Sequence, residues 1–215
     1  ADMDTQLCEH GTPADGRHPL PSHARLQAAV TAWGIDEGDE VVVYDDNANF
    51  AAARLWWLLR WAGFPRVRVL DGAVAAWREA GLPISTGDVD PEPGSAVITS
   101  LGHLPHVDGD GAARIAREGV LIDSRAPERY RGEVEPMDPI AGHVPGAVNA
   151  PMDQNVGADG RYLSSELLRE RFAAVGVREG VEVAAYCGSG VTAATNVLAL
   201  ALAGYEAALY AGSWS

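Results

Sequence analysis

The sequence predicts an α/β fold in which two tandem copies of one unit each form a mostly parallel sheet flanked by helices. Three observations support this prediction. Short apolar runs alternate with longer apolar segments that have helical texture. Glycines follow the predicted helices, at positions where a helix commonly ends. The chain also matches itself when residue 45 is laid over residue 187, so one unit accounts for both halves.

The internal repeat is clearest between residues 32–64 and residues 174–205. Identical residues stand in step over this stretch: Gly34/Gly176, Gly38/Gly180, Val41/Val183 and Tyr44/Tyr186. A match of this length, with glycines in register, indicates duplication rather than chance similarity between two α/β units.

The predicted elements follow the same order in each copy. The first copy contains strands at 40–44 and 67–70, and helices at 50–62 and within 71–83. The second copy contains strands at 121–123, 147–149, 181–186 and 207–210, a helix from Ser164 or Ser165 to Val175, and a helix at 191–203. Strands that alternate with helices favour a parallel sheet covered on both faces.

Composition shifts along the chain predict a first domain at 1–83, a linker at 84–108 that is rich in proline, glycine and aspartate, and a second domain at 109–215. The first copy lacks a counterpart of the strand at 121–123. The second copy ends after its last strand, where the first continues into a helix. We therefore expect the sequence to be a fragment, with the first strand of one domain and the last helix of the other missing.

Charge and composition exclude several classes of function. The net charge is −14, which repels phosphate backbones and argues against a nucleic-acid partner. Uninterrupted apolar runs are too short to span a bilayer, so no membrane partner is expected. The two cysteines, Cys8 and Cys187, do not form a disulfide framework, and a reducing cytoplasm is the expected location. No Cys/His spacing indicates a metal site, and nothing indicates a cofactor.

The candidate nucleophile is Cys187, which stands where a buried strand passes into a loop of small residues. Ligands of open α/β sheets bind beyond the carboxyl ends of the strands. A glycine-rich turn and a helix N-terminus direct backbone amides inward, which favours a thiolate. The predicted binding loop comprises Gly188, Ser189, Gly190, Val191 and Thr192. The first copy has Asp45 instead of the cysteine and is therefore predicted to be non-catalytic.

The sequence resembles the tandem rhodanese-type sulfurtransferases. The resemblance is carried by "YCGSGVTA" (186–193), "LIDSRAPERYRGEVEP" (121–136), "GHVPGAVNAP" (142–151) and "YAGSWS" (210–215), with "VVVYDDN" and "ARLWWLLRWAG" in the first copy. It implies an enzyme that moves a sulfane sulfur through a persulfide on Cys187. It also implies that Arg129 binds the anionic group of the donor and that His18 contacts the substrate. Asp123 and Arg125 are expected to form a structural polar network.

The donor implied by the resemblance is thiosulfate or 3-mercaptopyruvate, and the acceptor is cyanide or a thiol such as thioredoxin. The loop after Cys187 is uncharged, which suits the monoanionic keto acid better than the dianion. Members of that subgroup carry a second arginine after the "EP" dipeptide, where this chain has Met137 and Asp138. Arg131 is the substitute that the sequence suggests for it.

Three other functions have different sequence requirements. A papain-like protease requires a cysteine at a helix start with His and Asn partners, and the strand followed by a glycine loop does not fit that arrangement. A phosphatase of related fold needs an arginine six residues after the cysteine, and position 193 is alanine. A non-enzymatic sulfur carrier or binding module of the same fold remains the alternative to the enzyme.

Overall fold

The computed structural model describes residues 1–12 and 15–215, which divide into two compact units. The first unit comprises residues 1–9, 20–104 and 158–161, and the second comprises residues 10–19, 105–157 and 162–215. Each unit contains parallel strands flanked by helices, which confirms the predicted fold class. The domain boundaries inferred from the sequence, with a linker at 84–108, stay a prediction.

The first unit contains a parallel pair of strands with helices around it. Its elements are α1 (Met3–Gln6), α2 (His23–Ala32), β1 (Val41–Val43), α3 (Phe50–Trp61), β2 (Val67–Val69) and α4 (Ala73–Glu79). β1 pairs in parallel with β2, so that Val41 lies opposite Val67. The buried face of α3 supplies much of the core, with Trp57 and Leu58 fully buried.

The second unit is built on a five-stranded parallel sheet in the order β3-β7-β6-β4-β5. Its elements are β3 (His106–Val107), α5 (Gly109–Glu118), β4 (Val120–Asp123), α6 (Pro127–Tyr130), β5 (Val148–Asn149), a 3-10 helix (Met152–Asn155), α7 (Ser165–Ala173), β6 (Val183–Tyr186), α8 (Ala193–Leu202) and β7 (Ala208–Tyr210). In the described part of the chain, no helix combines the length and the apolar character needed to cross a membrane.

The central strand β6 determines where the loop after it lies. All four of its residues are buried, between β4 on one side and β7 on the other. Asp123 at the end of β4 pairs with Tyr186 at the end of β6. Because parallel strands end at one edge of a sheet, the segments that follow β4, β6 and β7 meet there.

The predicted strands and helices are present with ends shifted by one or two residues. Ser164 is the N-cap of α7, since its hydroxyl accepts a hydrogen bond from the amide of Leu167 at 3.4 Å. Strand β3 was not predicted, and it lies in the segment read as a linker. It has only two residues, and its partner Tyr210 is far away in the chain, so no local pattern indicates it.

The strand-to-helix loop of the first unit holds an anion. One carboxylate oxygen of Asp45 accepts hydrogen bonds from the amides of Asn47 (2.8 Å) and Asn49 (2.7 Å). The other accepts from the amides of Ala51 (2.9 Å) and Ala52 (3.0 Å), in the first turn of α3. A single side chain therefore accepts hydrogen bonds from two amides of the loop and from two amides that the N-terminus of α3 otherwise leaves unpaired.

Asp45→Ala is expected to lower the free energy of unfolding by about 2 kcal/mol or more, because it leaves these amides without their acceptor. Asp46→Ala is the matched control, since the contact that Asp46 makes among the described residues is an exposed ion pair with Arg78 at 3.1 Å. It should change stability by no more than about 0.5 kcal/mol. Urea denaturation of both variants measures the difference, and equal losses would contradict the role given to Asp45.

Candidate active site

Cys187 follows β6 directly and is 2% exposed. Its Sγ accepts a hydrogen bond from the amide of Gly190 at 3.1 Å, so the loop folds back over the sulfur. A donor of this kind stabilises a thiolate more than a neutral thiol, because it interacts with the full charge. Cys187 is thus buried, and the backbone amide of Gly190 points at its sulfur atom.

Ser213 is a site residue that the sequence did not reveal. Its hydroxyl accepts a hydrogen bond from the amide of Cys187 at 3.1 Å. The same hydroxyl lies 3.1 Å from the carbonyl oxygen of Tyr210 and 3.9 Å from the Sγ of Cys187, so its one proton can be donated to either acceptor. Ser213 has a φ of 58°, a left-handed conformation that is uncommon for serine. In the sequence, the one indication that Ser213 belongs to the site is its position in "YAGSWS", which carries part of the family resemblance.

Residues 214 and 215 pair with the cysteine loop through backbone hydrogen bonds. The amide of Trp214 donates to the carbonyl oxygen of Cys187 (3.1 Å), and the amide of Ser215 donates to that of Gly188 (2.9 Å). Gly190 has a φ of 81°, and a Cβ atom there would lie 2.3 Å from the carbonyl oxygen of Ala211. Only glycine satisfies both conditions at this position.

The other predicted loop residues differ from one another in burial. Gly188 is buried, whereas Ser189, Val191 and Thr192 are half-buried. Among the described residues, the hydrogen bonds to Sγ come from Gly190 and Ser213 alone. α8 begins immediately after Thr192. The binding roles assigned to these residues stay predictions.

Arg129 reaches the cysteine loop from α6. A Cβ atom placed on Gly188 would lie 3.5 Å from both terminal nitrogens of Arg129. The guanidinium is held by Glu135, at 2.7 Å from Nη2, and by Asp138, at 3.0 Å. The structure therefore places Arg129 beside the loop. This position is compatible with the predicted binding of an anionic donor, which stays a prediction.

The predicted polar network of Asp123 and Arg125 is present and extends further. Arg125 binds Asp123 at 2.7 Å and Glu135 at 3.3 Å. Burial lowers the pKa of Arg125, but its hydrogen bond to Asp123 and the nearby negative charges of Asp123 and Glu135 together outweigh this effect and leave the pKa raised. Burial likewise raises the pKa of Glu135, but hydrogen bonds from Arg129 and from backbone amides leave it lowered. Arg125 and Glu135 therefore stay charged at neutral pH.

Three further residues considered in the sequence have clear surroundings. His18 is half-buried and belongs to the segment 10–19, which is part of the second unit. Its contact with a substrate stays a prediction. His143 stacks on Tyr130 at 3.9 Å and pairs with the Tyr130 carbonyl at 2.7 Å, which is a structural role. Arg131 binds Glu133 at 2.8 Å on the surface.

Comparison with known families gives one match. A family model described as the rhodanese-like domain matches residues 11–80 and 109–215, which includes the loop after β6 and the matching loop of the first unit.

The chain is similar to several curated proteins. A Mycobacterium tuberculosis protein provisionally named a thiosulfate sulfurtransferase is 43% identical over 218 residues, which cover 99% of this chain and 76% of the relative. A Pseudomonas aeruginosa protein provisionally named a 3-mercaptopyruvate sulfurtransferase is 47% identical over 204 residues, 93% of this chain and 72% of its own.

The fold is also similar to a solved structure. The crystal structure of a 3-mercaptopyruvate sulfotransferase from Escherichia coli superposes with a TM-score of 0.84 at 30% identity. The match covers 99% of this chain and 80% of the other.

Gly190→Ala is expected to destabilise the second unit through two effects. The positive φ costs about 1–2 kcal/mol for a residue with a side chain, and the clash with Ala211 adds to it. Gly180→Ala is the control for the first effect alone, since Gly180 has a φ of 76° and no atom within 4 Å of an added Cβ. Thermal denaturation should show a clearly larger loss for Gly190→Ala. Equal losses would mean that the loop has room for a side chain.

Proposed function

The chain belongs to the rhodanese family and is a sulfurtransferase, and we propose that it carries sulfur as a persulfide on Cys187 between a small-molecule donor and an acceptor. The family agrees with the resemblance noted in the sequence. The observation that supports the persulfide is the hydrogen bond from the amide of Gly190 to Sγ at 3.1 Å, in a loop at the carboxyl end of the sheet.

The proposed reaction has two steps at one sulfur atom. In the first, the thiolate of Cys187 attacks the transferable sulfur of the donor and forms an S–S bond. With 3-mercaptopyruvate the C–S bond breaks, and the carbon takes a proton to give pyruvate. With thiosulfate the S–S bond breaks and sulfite leaves. In the second step the acceptor attacks the outer sulfur, and the electron pair of the S–S bond returns to Cys187.

The loop backbone suits the persulfide as well as the thiolate. An S–S bond is about 2 Å long, so the outer sulfur lies beyond the position that Gly190 contacts. We assign the amides of the predicted loop, from Gly188 to Thr192, to this outer sulfur. Together with the N-terminus of α8 they provide partial positive charge for an anion that has no counterion of its own.

The internal repeat supports this assignment. Asp45, at the position equivalent to Cys187, is an anion that accepts four backbone hydrogen bonds in the matching loop of the first unit. The same supersecondary unit therefore binds negative charge at this position. A carboxylate cannot accept a sulfur atom by nucleophilic exchange, so catalysis is assigned to the second unit.

The donor is assigned from the charge of the site. Ser189 and its neighbours carry no charge, and Arg129 offers a guanidinium that suits a carboxylate. We propose 3-mercaptopyruvate as the preferred donor and thiosulfate as the alternative. The two bacterial relatives are named for these two compounds, one for each.

The acceptor is proposed to be a small thiophile, either cyanide or a thiol, with thioredoxin as a protein acceptor. The cytoplasm is the proposed location, because a persulfide needs a reduced thiol to form on. A sulfur carrier without turnover is the alternative function, and it predicts a persulfide that forms but is not released to acceptors.

Incubation with either donor should add about 32 Da, the mass of one sulfur atom, to the peptide that contains Cys187. Mass spectrometry of the intact and digested protein measures the adduct. Cys187→Ser should abolish it together with the release of pyruvate or sulfite. Cys8→Ser is the control, since Cys8 is buried and both burial and the charge of Asp4 raise the pKa of its thiol. Loss of activity in Cys8→Ser, or no adduct on Cys187, would refute the assignment.

The donor preference follows from steady-state kinetics with cyanide as acceptor. Because the loop is uncharged, it offers no cationic side chain to the second negative charge of thiosulfate. One missing charge-assisted contact is worth about tenfold, so the kcat/KM for 3-mercaptopyruvate should exceed that for thiosulfate by about tenfold or more. A higher value for thiosulfate would assign the enzyme to the other subclass and leave the role of Cys187 intact.

A further inference from the structure

Three exposed apolar side chains lie together on the loop between α6 and β5 of the second unit. Val134, Met137 and Ile140 are 50%, 65% and 68% exposed, and we call them the apolar loop surface. Among the described residues of this unit, the other exposed large apolar side chains, Leu167 and Leu202, lie on α7 and α8. Single exposed apolar residues need no explanation, but a group of them on one loop indicates an interaction surface.

Buried carboxylates on the same loop hold its backbone in place. The side chains of Glu135 and Asp138 are buried, unlike those of the apolar residues beside them. Glu135 binds Arg129 at 2.7 Å and Arg125 at 3.3 Å. Its Oε1 also accepts hydrogen bonds from the amides of Met137 and Asp138, both at 3.1 Å. Ion pairs and hydrogen bonds therefore determine where the loop lies, and its apolar side chains stay in solvent.

The loop that carries the apolar surface is joined to the cysteine loop at two points. The carbonyl oxygen of Ile140 accepts a hydrogen bond from Nε1 of Trp214 at 2.8 Å. The amide of Trp214 in turn donates to the carbonyl oxygen of Cys187 at 3.1 Å. Arg129, which the buried carboxylates hold, has its terminal nitrogens 3.5 Å from the position that a Cβ atom of Gly188 would occupy. The apolar loop surface is therefore next to the site of the proposed reaction.

The size of the acceptor decides whether it can use this surface. Because Cys187 is buried, every acceptor has to bring its nucleophile into the site. Cyanide and small thiols have little apolar area of their own, so they gain nothing from apolar side chains outside the site. A protein that carries the thiol on its surface covers these side chains while the thiol enters, and burial of apolar area is the main favourable contribution to protein association.

Charge also favours an acceptor that is held in place. A thiol attacks as the thiolate anion, which a chain with a net charge of −14 repels at a distance. The guanidinium of Arg129 beside the cysteine loop complements the charge of the thiolate once it has arrived. Apolar contacts next to the site do not depend on charge, so they hold the acceptor against the long-range repulsion.

We propose that the apolar loop surface docks a protein acceptor that presents an exposed cysteine thiol, to which the outer sulfur on Cys187 is transferred. This inference rests on the proposed function and names the class of acceptor and the place where it binds. The acceptor thiolate attacks the outer sulfur, the S–S bond breaks, and its electron pair returns to Cys187. The acceptor leaves as a persulfide, so the step consumes neither an oxidant nor a reductant.

The test uses a triple variant, Val134→Ser, Met137→Gln and Ile140→Ser, in steady-state kinetics with 3-mercaptopyruvate as donor. Reduced thioredoxin, dithiothreitol and cyanide serve in turn as acceptors. The triple variant should lower kcat/KM for thioredoxin by about tenfold or more, because it removes the apolar contacts of the docked protein. The values for dithiothreitol and cyanide should stay within about twofold, since exposed side chains away from the reacting atoms are replaced.

Leu202→Ser is the matched control, since Leu202 is an exposed apolar residue at the end of α8 that is remote from Cys187. It should leave all three acceptors within about twofold of the unsubstituted enzyme. Met137→Gln alone changes one exposed side chain to a polar one of similar size, so it keeps the test valid if the triple variant does not fold. It should give part of the loss with thioredoxin and none with cyanide. An unchanged kcat/KM for thioredoxin, or an equal loss with cyanide in Met137→Gln, would overturn the proposal.

Analytical ultracentrifugation tests a second copy of this chain as the other occupant of the surface. The unsubstituted enzyme and the triple variant should have the same oligomeric state. A dimer that dissociates in the triple variant would assign the surface to self-association and count against the proposal. Failure of the proposed function is distinct from these results, since it shows as a missing sulfur adduct on Cys187 in the unsubstituted enzyme.

Discussion

The hydrogen bond from the amide of Gly190 to the sulfur of Cys187 is the interaction on which the site depends. It exists because the chain turns back at once after β6, which requires a positive φ and leaves no space for a side chain at position 190. The same turn sets the start of α8 and brings the segment 211–215 against the loop. A short backbone feature thus determines the surroundings of the reactive atom.

Both units contain a loop between a buried strand and a helix, but the loop holds a different side chain in each unit. In the first unit the loop holds the carboxylate of Asp45, which is chemically inert toward sulfur. In the second unit the loop holds the thiol of Cys187, whose Sγ accepts a hydrogen bond from the amide of Gly190. The two copies thus differ in the side chain at this position, and the proposed catalysis is assigned to the second copy.

Around the catalytic loop, acidic and basic side chains alternate from Asp123 through Arg125, Glu135, Arg129 and Asp138 to Arg17. Each carboxylate between two arginines contacts both of them. Because every inner group has partners on two sides, no guanidinium can rotate without breaking an ion pair. The chain of charges therefore restricts the orientation of the arginines.

The sequence by itself determined the fold class, the repeat and the central strands, and it supplied the prediction that Cys187 is the nucleophile. Local sequence patterns indicate these features: apolar periodicity, glycines at turns, and a cysteine between a strand and a helix. Strand β3, Ser213 and Arg17 were decided only by the tertiary structure. Ser213 is 26 residues from Cys187, and Arg17 is 121 residues from the aspartate that holds it. Contacts at such separations depend on the tertiary arrangement of strands and loops, which no local pattern specifies. In the sequence, a polar loop residue that contacts the site cannot be distinguished from one that does not.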